Sequence, residues 1–303
     1  MPTSDCDDRM KIIVSGASGL IGSALVPSLT SAGHDVVRLV RRPAASPAEA
    51  TWDPRAGTID SARLAGADAV IHLAGAGVGD HRWTDAYKRE IRESRVLGTR
   101  TLAEAIARLE VKPSVFVSGS AIGYYGDTGS SAVDETSGAG TGFLADVVVD
   151  WEKAAAPAAA AGIRTAFART GLVVSGKGGA WGRLFPIFKA GIGGTLGSGR
   201  QYWSFISLRD EVAALTWLLT HDISGPVNLT APVAVTNAEV TAAMGRVLGR
   251  PTLIPVPAFA LKSLLGEFSQ EVLGSTRVVP SVLEKAGFTW LDADIDSAIR
   301  SAL

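Results

Sequence analysis

Lys11-Ile-Ile-Val-Ser-Gly16-Ala-Ser-Gly19-Leu-Ile-Gly22-Ser-Ala-Leu-Val26 is a short apolar run that breaks into spaced glycines and resumes with helical periodicity, so it reads as strand, turn and helix. Gly16 lets the chain reverse, Gly19 removes a side chain that would block a pyrophosphate, and Gly22 lets the helix lie close to the strand. Free N–H groups and the positive end of the dipole then favour an anion at the helix N-terminus. Spaced glycines alone also suit an ordinary turn. A preceding strand and a following helix are the context that points to nucleotide binding.

The remaining composition narrows the class. At 303 residues, with 47% hydrophobic and 19% charged residues, the chain can bury a sizeable core in one large domain or two smaller ones. A net charge of −1, with mixed signs along the chain, offers no footprint for nucleic acid or an anionic membrane. The single cysteine, Cys6, allows neither an internal disulfide nor a cysteine-rich metal site, and no metal is expected. Residues 1–10 read as a flexible polar tail without the pattern of a signal peptide. No apolar run reaches the roughly 18 residues of a membrane span, so the expectation is a cytoplasmic protein acting on a small molecule.

After the first helix, expected to end near Gly33, Asp35 to Val40 is a second strand, with Arg41 and Arg42 at its exit. An acidic residue there would bind a ribose 2′-hydroxyl, whereas arginine accommodates a 2′-phosphate; with no carboxylate at the strand's end, NADP(H) is expected. Two merely solvated arginines are the other reading. Residues 52–59, with Asp53-Pro54 and Gly57, read as a strand pair or loop. Asp68 to Gly75 is a buried strand running into a small-residue turn, with His72 as a core histidine. Residues 84–109 form an amphipathic helix, and Pro113 to Ser120 is the next strand. Residues 142–161 read as a helix and Arg164 to Thr170 as a strand. Residues 175–206 interleave glycines with Trp181, Phe185, Phe188, Tyr202 and Trp203, which argues for loops folded over a pocket. A helix over Leu208 to His221, a strand over Gly225 to Thr230, and a capping box Thr236-Asn-Ala-Glu239 opening a helix that stops at Gly249 follow. Short helices complete the chain. The alternation predicts an α/β fold, a Rossmann-type doubly wound parallel sheet over residues 11–174 with strands returning near 203–230, and a smaller C-terminal α/β substrate-side region over 175–303.

Together these residues resemble the extended short-chain dehydrogenase/reductases, and more narrowly the atypical branch of NAD(P)-dependent epimerase-family proteins that carry a C-terminal domain of unknown function. The resemblance rests on Gly16 to Gly22, Trp52-Asp53-Pro54, His72 to Gly75, Arg82-Trp83-Thr84, Ser94-Arg95, Gly193 to Gly199 and Gly225 to Asn228. It implies cofactor contacts at Gly16, Ser18, Gly19, Leu20, Ile21, Gly22, Arg41, Leu73, Ala74, Gly75 and Ser118. Arg95 stands where the extended family has the asparagine of Asn-Val-x-Gly-Thr. It reaches a phosphate or ribose in one reading and pairs with Glu90 or Glu104 in the other.

The family's proton-transfer pair, a tyrosine and a lysine four residues later, is missing, for the helix that should carry it offers Phe143 and Val147. The resemblance leaves Ser120 as the serine that steadies the substrate oxygen. Tyr124, Tyr125 and Asp146 remain as candidate proton donors, with Tyr125 first because Tyr125-Gly126 resembles the family's Tyr-Gly after the active-site serine. Two functions follow: an NADP(H)-dependent oxidoreductase or epimerase-like enzyme with a non-standard donor, or a non-catalytic NADPH-binding sensor.

Overall fold

A computed structural model describes residues 9–303; the greater part of the expected N-terminal tail, with Cys6, lies outside the described residues. β1 (Lys11–Ser15) is buried from Ile12 to Ser15. Through the glycines it enters α1 (Gly22–Ser31), whose Leu25 and Leu29 face the sheet, and Gly33 at φ 92° turns the chain into β2 (Asp35–Val40). β3 (Glu49–Asp53) and β4 (Thr58–Ile59) form an antiparallel pair with Trp52 opposite Ile59. The one-turn α2 (Ser61–Leu64) leads to β5 (Ala69–His72). Then α3 (Asp85–Ala107), capped by Thr84 accepting from the Tyr87 N–H, returns the chain to β6 (Val115–Ala121). A 3-10 turn over Ile122–Tyr125 and the short β7 (Ala132–Val133) follow.

The helix expected over 142–161 is two helices, α4 (Phe143–Lys153) and α5 (Ala156–Ala160). Pro157 explains the break: inside one continuous helix it would lack its N–H and collide with the carbonyl four residues back, whereas in the first turn of a new helix it is tolerated. β8 (Arg164–Thr170) and β9 (Leu172–Val174) precede α6 (Gly179–Lys189), β10 (Tyr202–Trp203), β11 (Phe205–Ser207) and α7 (Leu208–Thr220). β12 (Gly225–Leu229), β13 (Val235–Thr236), α8 (Asn237–Leu248), α9 (Ala258–Leu265), α10 (Ser269–Leu273), β14 (Arg277–Val278), α11 (Ser281–Lys285) and α12 (Ile295–Ser301) complete the order.

Eight strands form the main sheet in the order β12-β8-β6-β5-β1-β2-β3-β4, parallel throughout except for β4. Strand order reverses at β1, which lies between β2 and β5, and this switch point opens the crevice in which doubly wound sheets bind ligands. One face packs Leu25, Leu29, Leu215 and Leu218 on Ile12, Val14, Ile71 and Val117. The other packs Leu64, Leu102 and Ile106 on Ile13, Val70 and Phe116. A third apolar cluster, with Trp181, Phe185, Phe188, Trp203, Phe205, Met244 and Ile299, belongs to the C-terminal region. It corrects the expectation that residues 175–206 are pocket-forming loops: α6 is a helix, and its aromatics fill a core. Trp181, Phe185 and Phe188 recur at four and three residues, which is helical spacing; the glycines and Pro186 obscured it.

Candidate functional site

The glycine turn after β1 is built by close approach. A Cβ on Gly16, which has φ 69°, would lie 2.7 Å from the Leu73 carbonyl carbon, and one on Gly22 would overlap the Gly16 carbonyl. Gly19 meets only Gly16 O, at 3.2 Å, so its outer face stays open. The turn is held by Gly19 N–H donating to Gly16 O at 2.9 Å, while among the described residues the N–H groups of Ser18, Leu20, Ile21 and Gly22 have no protein acceptor. No side chain caps α1 and no acidic residue occupies its first turn. A helix start left in this state suits a phosphate.

At the end of β2 the two arginines part company. Arg42 grips Glu49 with both Nη atoms at 2.8 Å, and Arg38 donates to the same carboxylate at 3.0 Å. These bonds, with the Ala45 N–H, hold the Glu49 carboxyl near 2. The expectation that no carboxylate competes for this position is therefore corrected for Arg42: Glu49 arrives from the neighbouring strand and not from β2 itself. Arg41 is exposed and has no carboxylate partner among the described residues.

Ser15 ties the turn after β5 to β1. Its Oγ accepts from the Leu73 N–H at 3.1 Å and the Ala74 N–H at 3.2 Å, so its own proton goes to His72 Nδ1 at 2.6 Å. His72 is then the Nε2–H tautomer, fully buried beside Trp52 and Phe116, and burial pushes its pKa down to about 3. It is a core histidine, as expected, though its Nε2 has no partner among the described residues. The rest of the turn is gripped from α3: Ser94 Oγ accepts from the Ala76 N–H at 3.0 Å, Arg95 Nη1 donates to Ala76 O at 2.9 Å, and the Tyr87 hydroxyl donates to Gly77 O. Arg95 pairs with neither Glu90 nor Glu104, which bind Arg55 and Arg108.

Ser118, fully buried, turns its hydroxyl back onto Gly119 O at 3.2 Å. Ser120 donates to Glu152 Oε1 at 2.6 Å, and Glu152 also holds Arg169 through Nε at 2.8 Å and Nη2 at 2.9 Å. Arg169 Nη1 donates to the Tyr125 hydroxyl at 3.0 Å, which itself donates to Asn228 Oδ1 at 2.7 Å. Tyr125 is thus 3% exposed with its phenol saturated inside the protein, and burial raises its pKa. Tyr124 is half-exposed; its ring lies under the Arg169 guanidinium at 3.5 Å, and its hydroxyl has no partner among the described residues. Sequence reasoning missed Ser15, Glu49, Glu152 and Arg169. Only Arg169 left a signal, as a charge inside the apolar stretch of β8, where a buried position demands a counter-ion.

Residues 12–230 match the model of the NAD dependent epimerase/dehydratase family, and residues 256–302 match a domain of unknown function, DUF1731. The chain belongs to the NAD dependent epimerase/dehydratase family. It is 46% identical over 293 residues to the epimerase family protein Mb2239 of Mycobacterium bovis, covering 96% of this chain and 97% of that one. The crystal structure of human epimerase family protein SDR39U1 (isoform 2) with NADPH superposes with a TM-score of 0.88 at 29% identity, over 97% of this chain and 99% of that one. A nucleoside-diphosphate sugar epimerase from Corynebacterium glutamicum superposes with a TM-score of 0.81 at 37% identity, over 97% of this chain but 58% of that one.

Within this family member, Phe143 and Val147 pack with Trp83 and Ile91 in an apolar cluster. Neither position can move a proton. Among the described residues no group of His, Cys, Asp and Glu is arranged to hold a metal ion, and no helix is long and apolar enough to cross a membrane.

Proposed function

We propose that this chain is an NADP(H)-binding oxidoreductase or epimerase-like enzyme acting on a small molecule at the carboxyl edge of the main sheet. The uncapped N-terminus of α1, with four free N–H groups beside an open Gly19, carries the reading. The residues fit a dinucleotide: α1 holds its phosphates, the turn Leu73 to Gly75 lines its path, and Arg41 is free to pair with a 2′-phosphate. The NADPH in the similar human SDR39U1 structure supports the choice of cofactor. When bound, the cofactor supplies the hydride chemistry. The protein's part is to orient the substrate and move a proton. Tyr124 is the donor this geometry favours over Tyr125, because its hydroxyl is uncommitted. Ser120 has its proton committed to Glu152 and so offers lone pairs, which suits it to orient a substrate hydroxyl.

Titration of NADPH and NADH separates the cofactors. A charge-assisted bond to the 2′-phosphate contributes about 1.5–3 kcal/mol, so NADPH should bind roughly ten- to a hundred-fold more tightly and Arg41→Ala should erase most of the difference. Equal affinities would remove the assignment. The burial of Phe143 and Val147 among apolar neighbours favours a second reading, an NADPH sensor. Tight NADPH binding with no change in nicotinamide absorbance across a panel of carbonyl compounds would establish it.

A further inference from the structure

Arg95 is held like a ligand-binding cation. Its Nη1 donates to Ala76 O at 2.9 Å and to Ile91 O at 3.0 Å, which fixes the guanidinium over the Trp151 ring at 5.1 Å. Gly75 makes room for it: a Cβ there would stand 3.3 Å from Arg95 Cγ and Cζ. The Nε and Nη2 edge has no protein partner among the described residues. Arg169, Arg209 and Arg246 use that same edge to grip Glu152, Asp292 and Asp296 with two bonds each. Arg164, also without a carboxylate within 4 Å, commits both Nη atoms to three main-chain carbonyls. Arg95 therefore combines a desolvated charge with an idle bidentate fork. The desolvation is strong enough to lower its pKa to about 10.

The 73–77 turn follows β5, which lies between β1 and β6 in the sheet. The N-terminus of α1 serves the β1 side, whereas Arg95 reaches in from α3 toward Trp151 of α4, on the β6 side. A guanidinium edge of this kind matches two oxygens of one carboxylate or phosphate. We propose that Arg95 is the subsite for an oxyanion of the substrate, which is accordingly a small organic acid or phosphate ester, a reading that rests on the dinucleotide site proposed above.

The test is equilibrium titration of the protein–NADPH complex with pyruvate, oxalate and inorganic phosphate, followed by calorimetry and by tryptophan fluorescence, with methyl pyruvate as the uncharged control. The expected result is saturable binding of at least one anion, none of methyl pyruvate, an affinity that falls with added salt, a loss of at least ten-fold in Arg95→Gln, and a smaller but measurable loss in Arg95→Lys, which keeps the charge and lacks the fork. NADPH affinity should fall by well under ten-fold in both variants, the change being that of the lost Nη1 grip on Ala76 O. Absence of binding by all three anions overturns the proposal. So does a ten-fold loss of NADPH affinity in Arg95→Gln, which would assign the fork to the cofactor's own phosphates. If Arg95→Gln does not fold, Arg95→Lys decides: anion affinity equal to the parent's overturns the proposal, because lysine cannot reproduce the two-bond fork. Failure of the unmodified protein to bind NADPH defeats the cofactor reading instead, and the same anion titrations on the free protein then decide the role of Arg95.

Discussion

Tyr124 and Tyr125 are neighbours in the chain with opposite surroundings, and the difference predicts opposite mutant phenotypes. Tyr125→Phe leaves Asn228 Oδ1 and Arg169 Nη1 without their buried partner, so it should destabilise the fold by about 1–3 kcal/mol in denaturant melts while leaving NADPH affinity unchanged. Tyr124→Phe removes a hydroxyl that no other residue uses. Its stability should match the parent's, and turnover should drop on the order of 10², the usual contribution of a general acid. Full activity in Tyr124→Phe would remove it as the donor. Arg169→Met should be harsher than either, since breaking a buried ion pair costs about 3–5 kcal/mol and Glu152 would be left facing Ser120 alone. Gly16 and Gly22 of the β1–α1 turn were legible one residue at a time, because close backbone approach there admits no side chain, whereas Arg42 and Ser118 are committed to Glu49 and Gly119 O. Which hydroxyl was free was not legible, for that depends on Arg169 and Asn228 arriving from strands 44 and 103 residues further on.

At the level of elements, the link from β1 to α1 makes a prediction that separates binding from folding. Gly19 has no positive φ and a Cβ there meets only Gly16 O, at 3.2 Å, so Gly19→Ala should fold with a melting temperature close to the parent's. The added methyl would sit on the open face against the pyrophosphate, and NADPH binding should fall by at least ten-fold in fluorescence titration. Gly22→Ala is the contrast: overlap with the Gly16 carbonyl means backbone must shift, and both stability and binding should suffer. Elements with strong local signals were readable in advance. Thr236 and Glu239 form the expected capping box, and Gly249 closes α8 at φ 62°. α6 was not, because its glycines and Pro186 resemble loop composition while its stability comes from burying Trp181, Phe185 and Phe188 in a core assembled from α8, α12 and β11.

Across the whole molecule, the parallel order followed from alternating strands and helices with short connections, and β12 rejoins the main sheet beside β8 as a late strand. The charges that topology buries were invisible until distant segments met, and they set the pH dependence of stability. Glu211, at the start of α7, is fully buried; one carboxyl oxygen accepts from Thr170 at 2.8 Å, the other has no partner among the described residues, and burial raises its pKa to about 8. Between about pH 4.5 and 8 the folded state holds a proton there that the unfolded chain has lost, so stability falls as pH rises through this window. His72, lowered to about 3, has the opposite sign: the unfolded chain takes up its proton below about 6.5, so stability falls as pH drops from there. Each buried group contributes a slope of about 1.4 kcal/mol per pH unit within its own window. The slopes of Glu211 and His72 oppose each other from about pH 4.5 to 6.5, giving a plateau there, and above 6.5 only the carboxyl slope remains. Glu211→Gln, which keeps the acceptor for Thr170 and cannot ionise, should flatten most of the decline between pH 6.5 and 8 and leave the acid limb to His72. Denaturant melts of both proteins at half-unit pH steps check this, and an alkaline decline as steep in Glu211→Gln as in the parent would show that Glu211 is ionised in the folded protein at neutral pH.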